Sequence, residues 1–182
     1  MHIFTNSADD SILGCEKNVL VEALWERLNP DKWPFPINEL PKGSALVGGA
    51  VRDAFLNRLS EKPDLDLVVP NNAIQLAKDL AKKIQARCVV LDSQRDMALL
   101  IFNGWTIDFA RQIGVSLGSD LLRRDFRLNA IALTLTSIPE IIDPTGGIGD
   151  LINKRLVAVN EENLVEDPLR CLRGLRLMAE LG

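Results

Sequence analysis

Leu46-Val47-Gly48-Gly49-Ala50-Val51-Arg52-Asp53, followed shortly by Asp64-Leu65-Asp66-Leu67-Val68-Val69, decides how this chain folds. The first stretch runs from an apolar strand pattern through two glycines into a helix start. Glycines at such a turn let the backbone approach an anion closely, and the helix N-terminus adds free N–H donors and a positive dipole end. Arg52, one turn in, reaches toward the same anion. A Gly-Gly pair by itself also makes an ordinary tight turn with a surface arginine, so the second stretch carries the weight. Strand alternation puts Asp64 and Asp66 on one face and Leu65 on the other. Carboxylates that close repel unless a cation lies between them. They are hard oxygen ligands suited to Mg²⁺, and a pair of them suits two ions roughly 4 Å apart for in-line displacement at phosphorus. The alternative is a solvated acidic strand start.

Working outward, short apolar runs predict strands at residues 44–47, 65–69, 87–91, 98–102 and 106–110, with a helix over 72–86. Asn103-Gly104 between the last two runs is a hairpin signal and requires antiparallel strands there. The expectation is an α/β (α+β) domain with a mixed sheet. Upstream, Val19, Leu20, Ala23, Leu24 and Leu28 recur at helical spacing over 16–28, and Pro30, Pro34, Pro36 and Pro41 break the pattern over 29–43. Downstream come a charged helix start after Asp120, an apolar run at 138–143, a Gly-rich turn at 146–149, a strand around 156–159 and a helix beginning near Pro168. These signals divide the chain into residues 1–43, an N-terminal helix and loop; 44–160, the main domain; and 161–182, the start of a helical unit. Residues 178–182 still read as helix, with Gly182 a candidate cap, so the chain is expected to be cut from a longer protein.

Hydrophobic residues at 47% and charged residues at 25% are the balance of a soluble globular protein. No apolar run approaches the roughly 20 residues of a membrane span, and no secretory signal opens the chain, which points to the cytoplasm. Cys15, Cys88 and Cys171 are too scattered for a disulfide framework or a zinc cluster and are expected to be buried thiols. The sole histidine, His2, lies in the terminus, so an imidazole base or histidine metal site is excluded and any metal must be held by carboxylates. A net charge of −4 argues against a nucleic-acid coat while allowing a local basic patch.

Three further groups carry potential chemistry. Asp108 alternates with Ile107 and Phe109 in the run 106–110, where it is a third carboxylate for a metal, an acceptor for a hydroxyl proton, or a structural partner of Arg111. Arg123-Arg124-Asp125-Phe126-Arg127-Leu128-Asn129-Ala130 gathers arginines whose guanidinium forks match phosphate oxygens, or is simply an exposed basic helix. Finally, Glu166-Asp167-Pro168-Leu169-Arg170 opens the last helix with an N-cap pattern. Arg170, Arg173 and Arg176 follow at three-residue steps, a self-repelling row unless anions or carboxylates lie opposite.

In this order, the blocks LVGGAVRD with DLD, RRDFRLNA, DPTGGIGDL and EDPLRCLRGLR resemble the class II tRNA nucleotidyltransferase and poly(A) polymerase family, from Leu46 to the C-terminus. The resemblance implies a polymerase-β-like nucleotidyltransferase head with a five-stranded sheet, followed by the start of a helical neck. It implies that Asp64 and Asp66 bind catalytic Mg²⁺, that Gly49 and Arg52, beside Gly48, meet the nucleotide phosphates, and that Arg124 holds the nucleotide. Asp167 and Arg170 would read the Watson–Crick edge of the incoming base. Asp accepts from the exocyclic amino group shared by C and A, and Arg donates to ring acceptors. Arg173 and Arg176 would serve the triphosphate or that pair. The implied activity is addition of C and/or A from CTP or ATP to a tRNA 3′ end, with poly(A) synthesis the sister reading. A non-catalytic nucleotide- or RNA-binding module is the reading from another class, and the intact Asp64/Asp66 pair argues against it. One departure stands out: residues 112–122 form a short connection where family members that complete CCA have a longer flexible segment, and the resemblance associates the short form with stopping at CC.

Overall fold

The computed structural model describes residues 16–181; His2, Cys15 and Gly182 lie outside them. The domain is built on one mixed sheet of seven strands: β1 (Ala45–Val47), β2 (Leu65–Val69), β3 (Arg87–Asp92), β4 (Met97–Phe102), β5 (Trp105–Arg111), β6 (Ala132–Thr134) and β7 (Ile141–Ile142). Their spatial order is β3-β4-β5-β2-β1-β6-β7. β2 and β5 run parallel, while every other pair is antiparallel.

The five expected strands are present, but the sheet has seven, which corrects the expected count. β6 and β7 are too short for alternation to announce them; they exist because Ala132 and Leu133 find Val47 and Leu46 on one side and Ile142 and Ile141 on the other. The strand expected at 156–159 reduces to a single bridge, Phe126 to Ala158, flanked by Arg127 N–H donating to Val157 O at 2.9 Å and Val159 N–H to Asp125 O at 3.0 Å. Nor is the arginine-rich stretch after Asp120 a helix. A short helix, α4 (Leu117–Leu121), precedes it, capped by reciprocal bonds between Ser116 and Ser119. The chain then turns and continues into a 3₁₀ turn at Arg127–Asn129.

Alternation along the strands sorts the residues onto two faces. Leu46, Leu65, Leu67, Val69, Leu100, Ile107 and Phe109 point to one side and form the main core. Against them pack α1 (Lys17–Leu28), α2 (Gly49–Phe55) and α3 (Ala73–Ile84), through residues such as Leu24, Val51, Phe55, Ala77 and Leu80. The proline-rich stretch after α1 is not a loose loop: it carries Trp33, Phe35 and Leu40 into this core, and the Phe35 and Phe109 rings lie 6.0 Å apart. On the other face Ala45, Val47, Val68 and Ala132 are covered by Leu121 and Ala130, with Leu117, Ile142 and Val159 partly buried against them, a thin second cluster that leaves the neighbouring part of the sheet open.

Local chemistry fixes the connections. Asn103 and Gly104 both take positive φ, 46° and 85°, as a two-residue hairpin turn demands, and this sets Phe102 opposite Trp105. Downstream lie α5 (Gly147–Ile152), α6 (Glu161–Glu166) and α7 (Leu169–Leu181). Gly174 of α7 abuts the Phe126 ring so closely that a Cβ there would lie 2.7 Å from Cζ. Cys88 is partly buried, but Cys171 on α7 is exposed, against the expectation of buried thiols. Among the described residues, no helix is long and apolar enough to cross a membrane.

The N-terminus of α3 is capped from a distance, since Asp96 Oδ2 and Oδ1 accept the Ala73 and Ile74 N–H groups, each at 2.9 Å. Asp96 itself sits at φ 55°, so Asp96→Ala loses both acceptors and strains the backbone. Urea unfolding should show a loss of about 1–2 kcal/mol, and an unchanged midpoint would contradict this account of how α3 is held.

Candidate active site

The open part of the sheet is where the acidic residues gather. β2 and β5 are parallel with Asp66 directly opposite Asp108. Both alternate with core residues, so both carboxylates face away from the helices, and Asp64, just before β2, joins them. Gly48 comes up against this group with φ 74°, and a Cβ on it would lie 2.8 Å from Asp66 Oδ2. Only glycine meets both demands. The backbone N–H of Gly49, the first residue of α2, lowers the Asp66 carboxyl, so the helix N-terminus expected to face an anion faces one within the protein itself.

Burial pushes the Asp66 carboxyl above its usual range; Arg124 and then Arg173 pull it back in part, and Asp64 adds repulsion. Asp108 is raised to about 6, first by burial and then by the charges of Asp66 and Asp64. Arg111, the structural partner considered for Asp108, is not among the charges that act on it. These three carboxylates form the kind of group a cation relieves. Among the described residues, no three His, Cys, Asp or Glu side chains converge closely enough to cage an ion alone. Mg²⁺ does not require that, because it keeps several waters and takes phosphate oxygens, needing one or two carboxylates from the protein. The donor set fits such an ion.

The arginines surround this group unequally. Arg52 is buried, with Nε and Nη2 donating to Asp53 at 2.9 and 3.0 Å and Nη1 to Asn129 Oδ1 at 2.8 Å. It lines the cleft, but its guanidinium is largely taken up by these partners. Arg124 is different. Its Nη1 lies beside Gly48 and Asp66, its Nη2 is 3.5 Å from Asp120 Oδ2, and its buried Nε has no hydrogen-bond partner. Each arginine in the row on α7 faces a carboxylate, which answers the repulsion noted in the sequence: Arg170 Nε is 3.7 Å from Asp167, Arg173 Nε 3.1 Å from Asp125, and Arg176 Nε 3.2 Å from Glu180. Arg170 Nη1 also donates to Arg123 O and Asn163 O, and Asp167 Oδ1 accepts the Leu169 N–H as an N-cap.

Gly48, Gly49, Arg52, Asp64, Asp66, Asp108, Arg124, Asp167, Arg170, Arg173 and Arg176 all line one cleft of about 920 Å³. The block from Asp143 lines none of it. Asp143 instead caps α5, accepting the Gly147 and Ile148 N–H groups at 2.8 and 3.0 Å, and Gly147 packs against the Arg127 carbonyl of the turn that carries Asn129. Sequence reasoning missed Asp120 and Asn163 and gave Asp125 no role. All three are buried: Asp125 holds the Phe126 N–H and Asn129, and the Asn163 amide donates to Leu122 O and Arg124 O at 2.9 and 2.7 Å. The usable signal was the cost of leaving a carboxylate unpaired next to so many arginines, but nothing in the sequence marks those positions as buried.

Residues 44–113 and 109–157 match the family described as Poly A polymerase head domain. The CC-adding tRNA nucleotidyltransferase of Synechocystis sp. is 48% identical over 148 residues, covering 81% of this chain and 35% of the relative. The A-adding tRNA nucleotidyltransferase of Deinococcus radiodurans is 38% identical over 147 residues, 81% of this chain and 32% of the relative. A solved tRNA nucleotidyltransferase complexed with a primer tRNA and an incoming ATP analog superposes with a TM-score of 0.63 at 35% identity, covering 74% of this chain and 40% of that one. The chain spans about a third of the length of the curated relatives it matches. A glycine turn against an acidic strand, an arginine-lined cleft and this breadth of similarity agree: the chain belongs to the Poly A polymerase head domain family.

Proposed function

We propose that the protein carrying this chain adds C from CTP to the 3′ end of tRNA in the cytoplasm, stopping after CC. The observation that carries the reading is the register pair Asp66–Asp108, set against the Gly48-Gly49 turn and Arg124 in one cleft. In this reading residues 44–160 are the nucleotidyltransferase head, 161–182 begin a helical neck, and 1–43 are an N-terminal helix and loop. Asp64 and Asp66 would hold Mg²⁺, two ions in this reading, which would supply charge neutralisation at the reacting phosphate. The RNA 3′-OH attacks the α-phosphorus and the bond to pyrophosphate breaks, while Asp108 ligates or accepts the hydroxyl proton. Arg124, with Arg173 and Arg176, steadies the triphosphate, and Gly48 and Gly49 let it approach the backbone. Arg52 acts at the edge of the phosphates, from its place against Asp53 and Asn129. Asp167 and Arg170 read the base edge, so that UTP and GTP leave Asp167 without the amino group it accepts from.

The preference for CC rests on residues 112–122. They are tied down at short range: Gln112 N–H donates to Val69 O at 2.7 Å, Ile113 N–H to Asp120 Oδ1 at 2.8 Å, and the Ser116 cap starts α4 at once. That leaves little slack for a lever that would reset the base-reading pair from C to A. The 48% identity to a CC-adding enzyme supports the same choice.

Incubation with tRNA lacking its CCA end, Mg²⁺, CTP and ATP tests the reading. A CC-ended product is expected, lost in Asp66→Ala while the circular dichroism spectrum stays native. A single A added only to CC-ended tRNA would reassign it to the A-adding enzymes, and long A tails to poly(A) polymerases.

Asp167→Ala should relax discrimination against UTP and GTP by about 10- to 100-fold, the effect of one hydrogen bond to a charged group. Equal discrimination in the variant would move base reading elsewhere.

Asp108 gives a prediction in pH. Its folded pKa of about 6 lies above the ordinary carboxylate value, so the folded state binds the extra proton and stability falls as pH rises between them. Asp108→Asn escapes that cost. Without divalent ions it should melt above the wild type at pH 7.5, with the difference vanishing near pH 4. Identical melting at both pH values would remove the like-charge account.

A further inference from the structure

Asp120 is 8% exposed and belongs to none of the acidic residues at the reacting centre. Its two oxygens do different work. Oδ1 accepts the Ile113 N–H at 2.8 Å and fixes the connection after β5, while Oδ2 lies 3.5 Å from Arg124 Nη2. The other end of that guanidinium, Nη1, stands beside Gly48 and Asp66, and Nε is buried without a partner. Arg124 is thus suspended between two carboxylates, one of which has to be kept open for metal. We infer that Asp120 is a positioning residue that holds Arg124 away from Asp66, so that the guanidinium meets the incoming triphosphate rather than closing on the carboxylate.

The physical argument is a competition. A guanidinium pairs with whichever carboxylate offers the better fork, and in a low-dielectric setting that pairing is strong. With the charge of Asp120 removed, Asp66 is the carboxylate left beside the other end of the guanidinium. Arg124 would turn onto it, neutralise it and withdraw from the phosphates. Asp120 also ties the orientation of Arg124 to residues 112–122, since one side chain anchors both. The inference rests on the assignment of Arg124 to the nucleotide made above.

The test is a double-mutant cycle on CTP binding, measured calorimetrically in Mg²⁺ without RNA, with Asp120→Asn and Arg124→Met. Asparagine keeps an acceptor for the Ile113 N–H and replaces the charged oxygen facing Arg124 with an uncharged amide nitrogen; Asp120→Ser, which also removes the charge, is the second variant should the first fail to fold. Asp120→Asn should weaken CTP roughly tenfold, as expected for loss of a charge-assisted contact, and raise the Mg²⁺ concentration for half-maximal binding. In the Arg124→Met background the same change should do nothing further, which a merely structural role would not produce. Additive losses, or an unchanged CTP affinity in Asp120→Asn where Arg124→Met is weakened, would overturn the inference. Wild-type affinity in Arg124→Met would instead overturn the assignment of Arg124 itself.

Discussion

Three carboxylates share one small area of sheet with the lining of a cleft, and most of the architecture follows from having to hold them there. Asp66 and Asp108 are set opposite each other by backbone register, so their mutual repulsion is relieved only as far as rotation about their side-chain bonds allows. The cost is carried by the other face of the same strands, where Leu65, Leu67, Ile107 and Phe109 are fully buried under three helices. Burial on that side is worth about 1.5–3 kcal/mol for each such side chain. A like-charge cluster can therefore persist without unfolding the sheet.

Compensation for the charge is local and incomplete, which is what a site awaiting ligands requires. Gly49 gives Asp66 a backbone N–H, and Arg124 and Arg173 lower its carboxyl without undoing the effect of burial. The arginines are themselves held by acids: Asp53 for Arg52, Asp120 for Arg124, Asp125 for Arg173. An ion pair removed from water gains stability only when its geometry and remaining hydrogen bonds are good. Arg52 meets that condition with Asp53 and Asn129. Arg124 does not, since its buried Nε keeps no hydrogen bond, while the Asp125 oxygen lacking one lies 3.1 Å from Arg173 Nε. In the proposed reading the triphosphate would bring Arg124 Nε its missing partner, whereas the fully paired Arg52 serves mainly as scaffold.

α6 and α7, proposed above as the start of a helical neck, are joined to the rest of the domain by polar staples as well as by the buried Leu177. Asn163 and Arg170 both donate to carbonyls of the turn carrying Arg123 and Arg124, and Gly174 lets α7 lie against Phe126. Leu169, Leu172, Leu175 and Met178 remain exposed along α7. Arg170, a member of the proposed base-reading pair, is in this way held by the same turn that carries Arg124.

What the sequence determined by itself was everything encoded in short-range periodicity and special residues. Gly48-Gly49, the Asp64–Asp66 alternation, the Asn103-Gly104 hairpin and the five longer strands were legible because each is a local pattern with a local physical cause. So were most of the cleft residues, once the four blocks were read together. The tertiary structure alone decided the rest. β6 and β7 are strands only because β1 offers them a partner, and 156–159 is not one because only Phe126 pairs with it. The partnering of Asp66 with Asp108 needed the parallel register of strands far apart in the chain, and the tasks of Asp120, Asp125 and Asn163 needed knowledge of burial. Periodicity reports which face a residue occupies; it carries no information about which distant residue will lie opposite, and for a buried charge that opposite residue determines everything.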